Sequence, residues 1–94
     1  MERYKVYQLI DGERKYRDSL GADRMEKLET VHSVGDYCTM LRYYVAELDK
    51  AWTMNPGDKV ALDVMRKIGG IAVHCMEQHD APPRTLPSQT IGQE

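Results

Sequence analysis

The run KVALDVMRKIGGIAVHCMEQH, residues 59 to 79, constrains the fold more than any other part of the chain. Wound at about 100° per residue, its polar side chains gather on an arc of about 120°, among them Lys59, Asp63, Arg66, Lys67 and Glu77. Val60, Leu62, Met65, Ile68, Ile71, Val73 and Met76 belong to the rest, an apolar arc of more than about 200°. One partner helix does not normally cover so wide a face. Such a helix has to be buried from more than one side. Gly69 and Gly70 remove side-chain bulk at mid-run, where another backbone can approach closely.

The preceding run supplies one cover. Ser33 is a helix cap with Asp36 three residues on, a capping-box pattern, and Tyr37, Leu41, Tyr44, Leu48, Ala51 and Trp52 then form an apolar stripe ending near Thr53. The sequence MNPGD breaks the chain, with Asn55 expected as cap and Pro56 as first residue of the next helix. So short a connection makes the two helices an antiparallel hairpin. A first helix is expected from about Glu2 to Asp18, with Val6, Leu9, Ile10, Tyr16 and Leu20 on one arc and a weak point at Gly12. Residues 19–32 show no clear period and read as loop with room for one helical turn. The expected fold is all-α: a single helical domain over 1–80 and an extended, proline-bearing polar tail over 81–94.

With 94 residues the chain lies near the lower limit for one stable core, so the surplus apolar face of the last helix points to a homo-oligomer. A net charge of −2 argues against general nucleic-acid binding, which depends on a basic excess. No apolar run approaches the roughly 18 residues of a membrane span. The N-terminal sequence MERYKVYQLIDGERKYR is too charged for a secretory signal, and Cys38 and Cys75 read as buried free thiols, which together suit the cytoplasm.

Three groups of residues are candidates for a site. Glu47 and Asp63 lie on successive helices, as magnesium-binding carboxylates do in some helical enzymes; the plainer reading pairs Glu47 with Lys50, and Asp63 with Lys59 or Lys67. Arg3, Arg14 and Arg17 project from the first helix beside Tyr7. Arginine forks match phosphate oxygens and tyrosine faces stack on bases, so these residues suit an anion with an aromatic base; the plainer reading is a solvated face paired with Asp11, Glu13 and Asp18. His32 stands just before the second helix, where a ligand contact or a cap-side hydrogen bond is open to it. Cys75 and His79 share a helix face, but zinc needs three or four ligands.

The segments GERKYRDSLG, HSVGDY, AELDKAW and ALDVMRKIGGIAVHCMEQHD resemble small phage-borne proteins of the MazG-like type, which belong to the all-α nucleotide pyrophosphohydrolases. The resemblance spans roughly residues 10 to 80 and implies a magnesium-bound nucleotide as ligand. In that family a Glu-x-x-Glu helix and a Glu-x-x-Asp helix hold the metal. Glu47 and Asp63 match one position of each motif, while Lys50 and Val60 occupy the other two. The resemblance therefore implies a nucleotide-type ligand bound without hydrolysis and with no cofactor, and a phage protein that sequesters a host immune signalling nucleotide (an anti-defence role). Arg3, Arg14 and Arg17 would contact phosphate, Tyr7 or Tyr16 would stack, and His32 and Lys50 would assist. Two alternatives stand beside this expectation: a magnesium-dependent nucleoside triphosphate pyrophosphohydrolase using Glu47, Asp49 and Asp63, and a helical protein–protein interaction module.

Overall fold

The structure is a computed structural model that describes residues 1–23, 31–54 and 57–85. It is all-α, with α1 over Arg3–Asp23, α2 over Val34–Thr53 and α3 over Asp58–His79. The two ends of the α2–α3 hairpin lie where sequence puts them. At the start of α2 the Ser33 side chain accepts from the Asp36 N–H at 3.0 Å, and the Asp36 carboxylate accepts from the Ser33 N–H at 3.1 Å, closing the capping box. The backbone bond from Ser33 holds the Asp36 carboxyl below its usual range.

Two boundaries differ from expectation. The first helix does not stop at Asp18 but runs on to Asp23, so residues 19–23 are helix rather than loop. The Ser19 hydroxyl donates back to the Tyr16 carbonyl at 2.6 Å, which keeps it within the helical turn, and Gly12 sits mid-helix without a break. Residues 24–30, read as loop, lie outside the described residues. The third helix begins at Asp58, capped by Gly57, rather than at Pro56. Gly57 has φ 142° and ψ 121°, a backbone state open to glycine alone, and the chain enters α3 there. Asn55 and Pro56 are not described. Of the expected tail, Ala81–Thr85 is non-helical and residues 86–94 lie outside the described part.

Helix α3 is the centre of the molecule. It packs on α1 and on α2, while those two helices stay apart among the described residues. The Arg17 guanidinium of α1 reaches across to α2, lying 5.9 Å from the centre of the Tyr44 ring. The fold is an open layer with α3 in the middle, not a closed bundle. Its core is correspondingly small: among the described residues Tyr37, Ala51, Ala61 and Ile71 are the buried apolar ones. Tyr37 is 2% exposed.

The open layer explains where apolar patterning misleads. Trp52, expected in the α2 stripe, is 64% exposed because α3 covers only one edge of that stripe. Cys38 is exposed and Cys75 half-buried, so neither is the buried thiol expected. Most of the α1 stripe stays exposed, Leu9, Tyr16 and Leu20 among it, and α1 meets α3 closely with Ile10, Glu13 and Arg14. Among the described residues no helix is long and apolar enough to cross a membrane.

Candidate functional site

The densest polar chemistry lies along the seam between α1 and α3. Gly69 and Gly70 make the seam possible. A Cβ on Gly69 would stand 2.8 Å from Ile10 Cδ1, and one on Gly70 only 2.7 Å from Glu13 Cγ, distances that real side chains essentially never show. The close approach inferred for this glycine pair is therefore that of α1 within the same chain.

Through that gap Glu13 enters as a buried carboxylate. Its two oxygens accept from Arg66 Nε at 3.0 Å and from Arg17 Nε at 3.2 Å. Arg66 continues to Asp63 at 2.6 Å, and Asp63 to Lys67 at 3.5 Å. Charges thus alternate along Arg17, Glu13, Arg66, Asp63 and Lys67, so each ion has opposite charge beside it. The hydrogen bond from Arg66 pulls the Asp63 carboxyl below its ordinary range, and Glu13 with Asp63 raises Arg66.

The next residue, Arg14, is 6% exposed. Its Nε and Nη2 form a fork on the Glu77 carboxylate at 2.8 and 2.9 Å, and Nη2 also reaches Asp18 at 3.1 Å. This bidentate geometry is the strong form of the arginine–carboxylate pair. It lowers the Glu77 carboxyl and raises the guanidinium. The remaining nitrogen, Nη1, is buried and has no hydrogen-bond partner among the described residues.

Beside this pair stands an aromatic cluster at the open end of the hairpin. Tyr37 of α2 donates to Gln78 of α3 at 2.6 Å. Three imidazoles meet its ring edge-on, with centroids at 5.6 Å for His74, 5.7 Å for His32 and 6.3 Å for His79. His79 Nε2 donates to the His32 carbonyl at 2.6 Å, tying the end of α3 to the chain just before α2. Burial, then the nearby Arg14 charge, lowers the basicity of His74, while burial raises the Tyr37 phenol. His74 is half-buried in this cluster rather than on a solvated polar face.

The candidate residues are thus distributed unevenly. Arg14 and Arg17 lie together at the α1 seam, with Tyr16 exposed near them. Arg3 and Tyr7 are exposed toward the start of α1, and His32 belongs to the aromatic cluster. Glu47 pairs with Lys50 at 3.5 Å on α2, the plainer of its two readings, and Asp63 with Arg66 and Lys67. As magnesium donors, Glu47 and Asp63 fit poorly, because each is already neutralised by a cation on its own helix, and magnesium requires several oxygen donors in near-octahedral array. Among the described residues no three His, Cys, Asp or Glu side chains converge closely enough to hold a metal ion, Cys75 and His79 included. Sequence reasoning missed the Arg14–Glu77 fork and the histidine cage of Tyr37. Nothing local signals the fork, whose partners are 63 residues apart. The cage was open to inference, because an antiparallel hairpin sets residues 32–37 against 74–79.

In comparison with known proteins, the chain matches no family model, no curated protein and no solved structure.

Proposed function

We propose that this protein is the subunit of a small helical oligomer that binds a nucleotide-type anion without hydrolysing it. Arg14 carries the reading. Its guanidinium is fixed by Glu77 and Asp18, yet among the described residues one buried nitrogen has no acceptor, and a buried donor is stabilised when an acceptor arrives. A phosphate oxygen is the acceptor that an arginine fork fits best. Arg17 stands one turn away, within reach of further phosphate contact, and the ring of Tyr16 is exposed on the neighbouring face of the helix. Binding without turnover is favoured because Glu47 and Asp63 are each held by cations rather than left to collect a metal. A protein of this kind acts by keeping its ligand from other receptors. The resemblance to phage proteins points to a host immune signalling nucleotide as that ligand.

Thermal melting with a panel of nucleotides, cyclic and ADP-ribose-derived ones included, tests the reading. At least one nucleotide should raise the melting temperature, and Arg17→Ala should reduce the shift. Intact nucleotide should be recovered after incubation with magnesium; release of pyrophosphate would instead establish the hydrolase alternative. A flat response across the panel overturns ligand binding and leaves the helical interaction module, which the exposed apolar side chains of α1 and α3 favour.

A further inference from the structure

Where the first turns of α1 and α3 run side by side, the layer opens into a groove of about 550 Å3. Val6, Leu9 and Ile10 line it from α1, Leu62 and Met65 from α3. Leu62 is 61% exposed, more than half of a large apolar side chain left in water at the mouth of a concave surface. We propose that this groove is a self-association surface, filled by the same groove of a second copy about a two-fold axis. This deepens the oligomer part of the proposed function and rests on it.

Three observations favour a second copy as occupant. First, the described residues bury only four apolar side chains, a small core for three helices, and small domains depend on every available apolar contact. Each copy carries the same deficit and the same groove, so a two-fold contact relieves both. Second, the groove offers an apolar centre: Val6, Leu9, Ile10, Leu62 and Met65 line it, the composition found at the core of protein interfaces. Third, the rim is self-complementary. Lys59, Asp63 and Arg66 line it, and Asp63, although paired within the chain with Arg66 and Lys67, is half-exposed and not paired with Lys59. In a two-fold contact residue i meets j while j meets i, so Lys59 of each copy is placed to meet Asp63 of the other. Met65 suits the centre of such a contact, because an unbranched thioether fills irregular gaps.

The experiment is sedimentation equilibrium on the full chain and two variants, Leu62→Glu in the groove and Val45→Glu on the exposed face of α2. The wild type should sediment as a dimer or a multiple of one at micromolar concentration. Leu62→Glu should raise the dissociation constant by a factor on the order of 100 or more, and Val45→Glu should leave it unchanged. A second measurement stands if Leu62→Glu fails to fold: zero-length carbodiimide crosslinking of mixed isotopically light and heavy wild-type protein. Crosslinked peptides of mixed isotope content should join Lys59 to Asp63. A folded wild-type monomer overturns both this surface and the oligomer in the proposed function. An oligomer that tolerates Leu62→Glu, or mixed crosslinks confined to α2 or to residues 86–94, overturns the groove alone. Nucleotide-induced melting shifts are read separately, so loss of the groove leaves ligand binding standing.

Discussion

The two sides of α3 are held by different physics. Against α2 the contact is aromatic and apolar, with Tyr37 almost wholly buried toward the open end and Ala51 buried toward the other. Against α1 it is ionic, with Glu13 and Arg14 buried and two glycines opening the space for them. Apolar contact loses strength gradually when atoms shift, whereas a buried charge that loses its partner is left uncompensated. The hairpin is therefore the tolerant half of the molecule and the α1 seam the exacting half. Ordering of α1 depends on geometry more than on area.

The largest expected effect breaks the hairpin side. Tyr37→Ala should cost about 3–5 kcal/mol, the range for removing a large buried ring, and should release the three histidines together; chemical denaturation followed by circular dichroism measures it. Glu77→Ala attacks the other side. Removing the carboxylate strands Arg14 and should cost roughly 2–3 kcal/mol, below the range for a fully buried pair because Glu77 is half-exposed. Amide exchange should then rise in α1 and remain low in α2, and equal rises in both would refute the division. Gly70→Ala is expected to cost about 1 kcal/mol net, the clash with Glu13 outweighing the gain in helix propensity. Because Gly70 belongs to the α1 seam, that loss should vanish when Glu13→Ala is combined with it, a double-mutant cycle that sharpens the assignment.

The smallest effect is a dependence on pH. His74 is less basic in the fold than in the unfolded chain, so the unfolded chain takes up the proton first. Its contribution is complete above the unfolded value of about 6.5 and is lost as pH falls from there through the folded value. The charged and polar groups around it are Arg14, Glu77, Asp18, His32 and Gln78, with Tyr37 against its ring. Lowered carboxyls at Asp36, Asp63 and Glu77 add their own loss only at more acid pH, below about 4. Urea midpoints measured between about pH 7 and pH 5 should therefore fall for the wild type and stay flat for His74→Gln.

What the chain made legible was local. The cap at Ser33 and the pairs Glu47–Lys50 and Asp63–Lys67 involve residues three or four apart, and one helix turn suffices to bring such residues together. The hairpin followed from two amphipathic runs and a short break. The α1 seam was closed to this reasoning, because amphipathic patterning assumes that a helix docks by its apolar stripe. Here Ile10 alone of that stripe meets Gly69, while the contact depends on charges that would ordinarily be assigned to solvent. The width of the α3 apolar arc was read correctly as too much for one helix. Its misassignment fell on Trp52 and Cys38, which a covered stripe would have hidden.

The placement of Trp52 has an optical consequence. The lone indole of the chain lies near the end of α2, largely in water before any unfolding begins. Its emission should already be red-shifted in the native chain and change little as the helices melt. Fluorescence and circular dichroism followed on one sample would then give discordant curves, which would pass for an intermediate although the dye is simply blind to the transition. The same blindness is useful in the other direction. Any blue shift of that emission signals a surface closing over the end of the hairpin, making Trp52 a built-in gauge of contact rather than of folding.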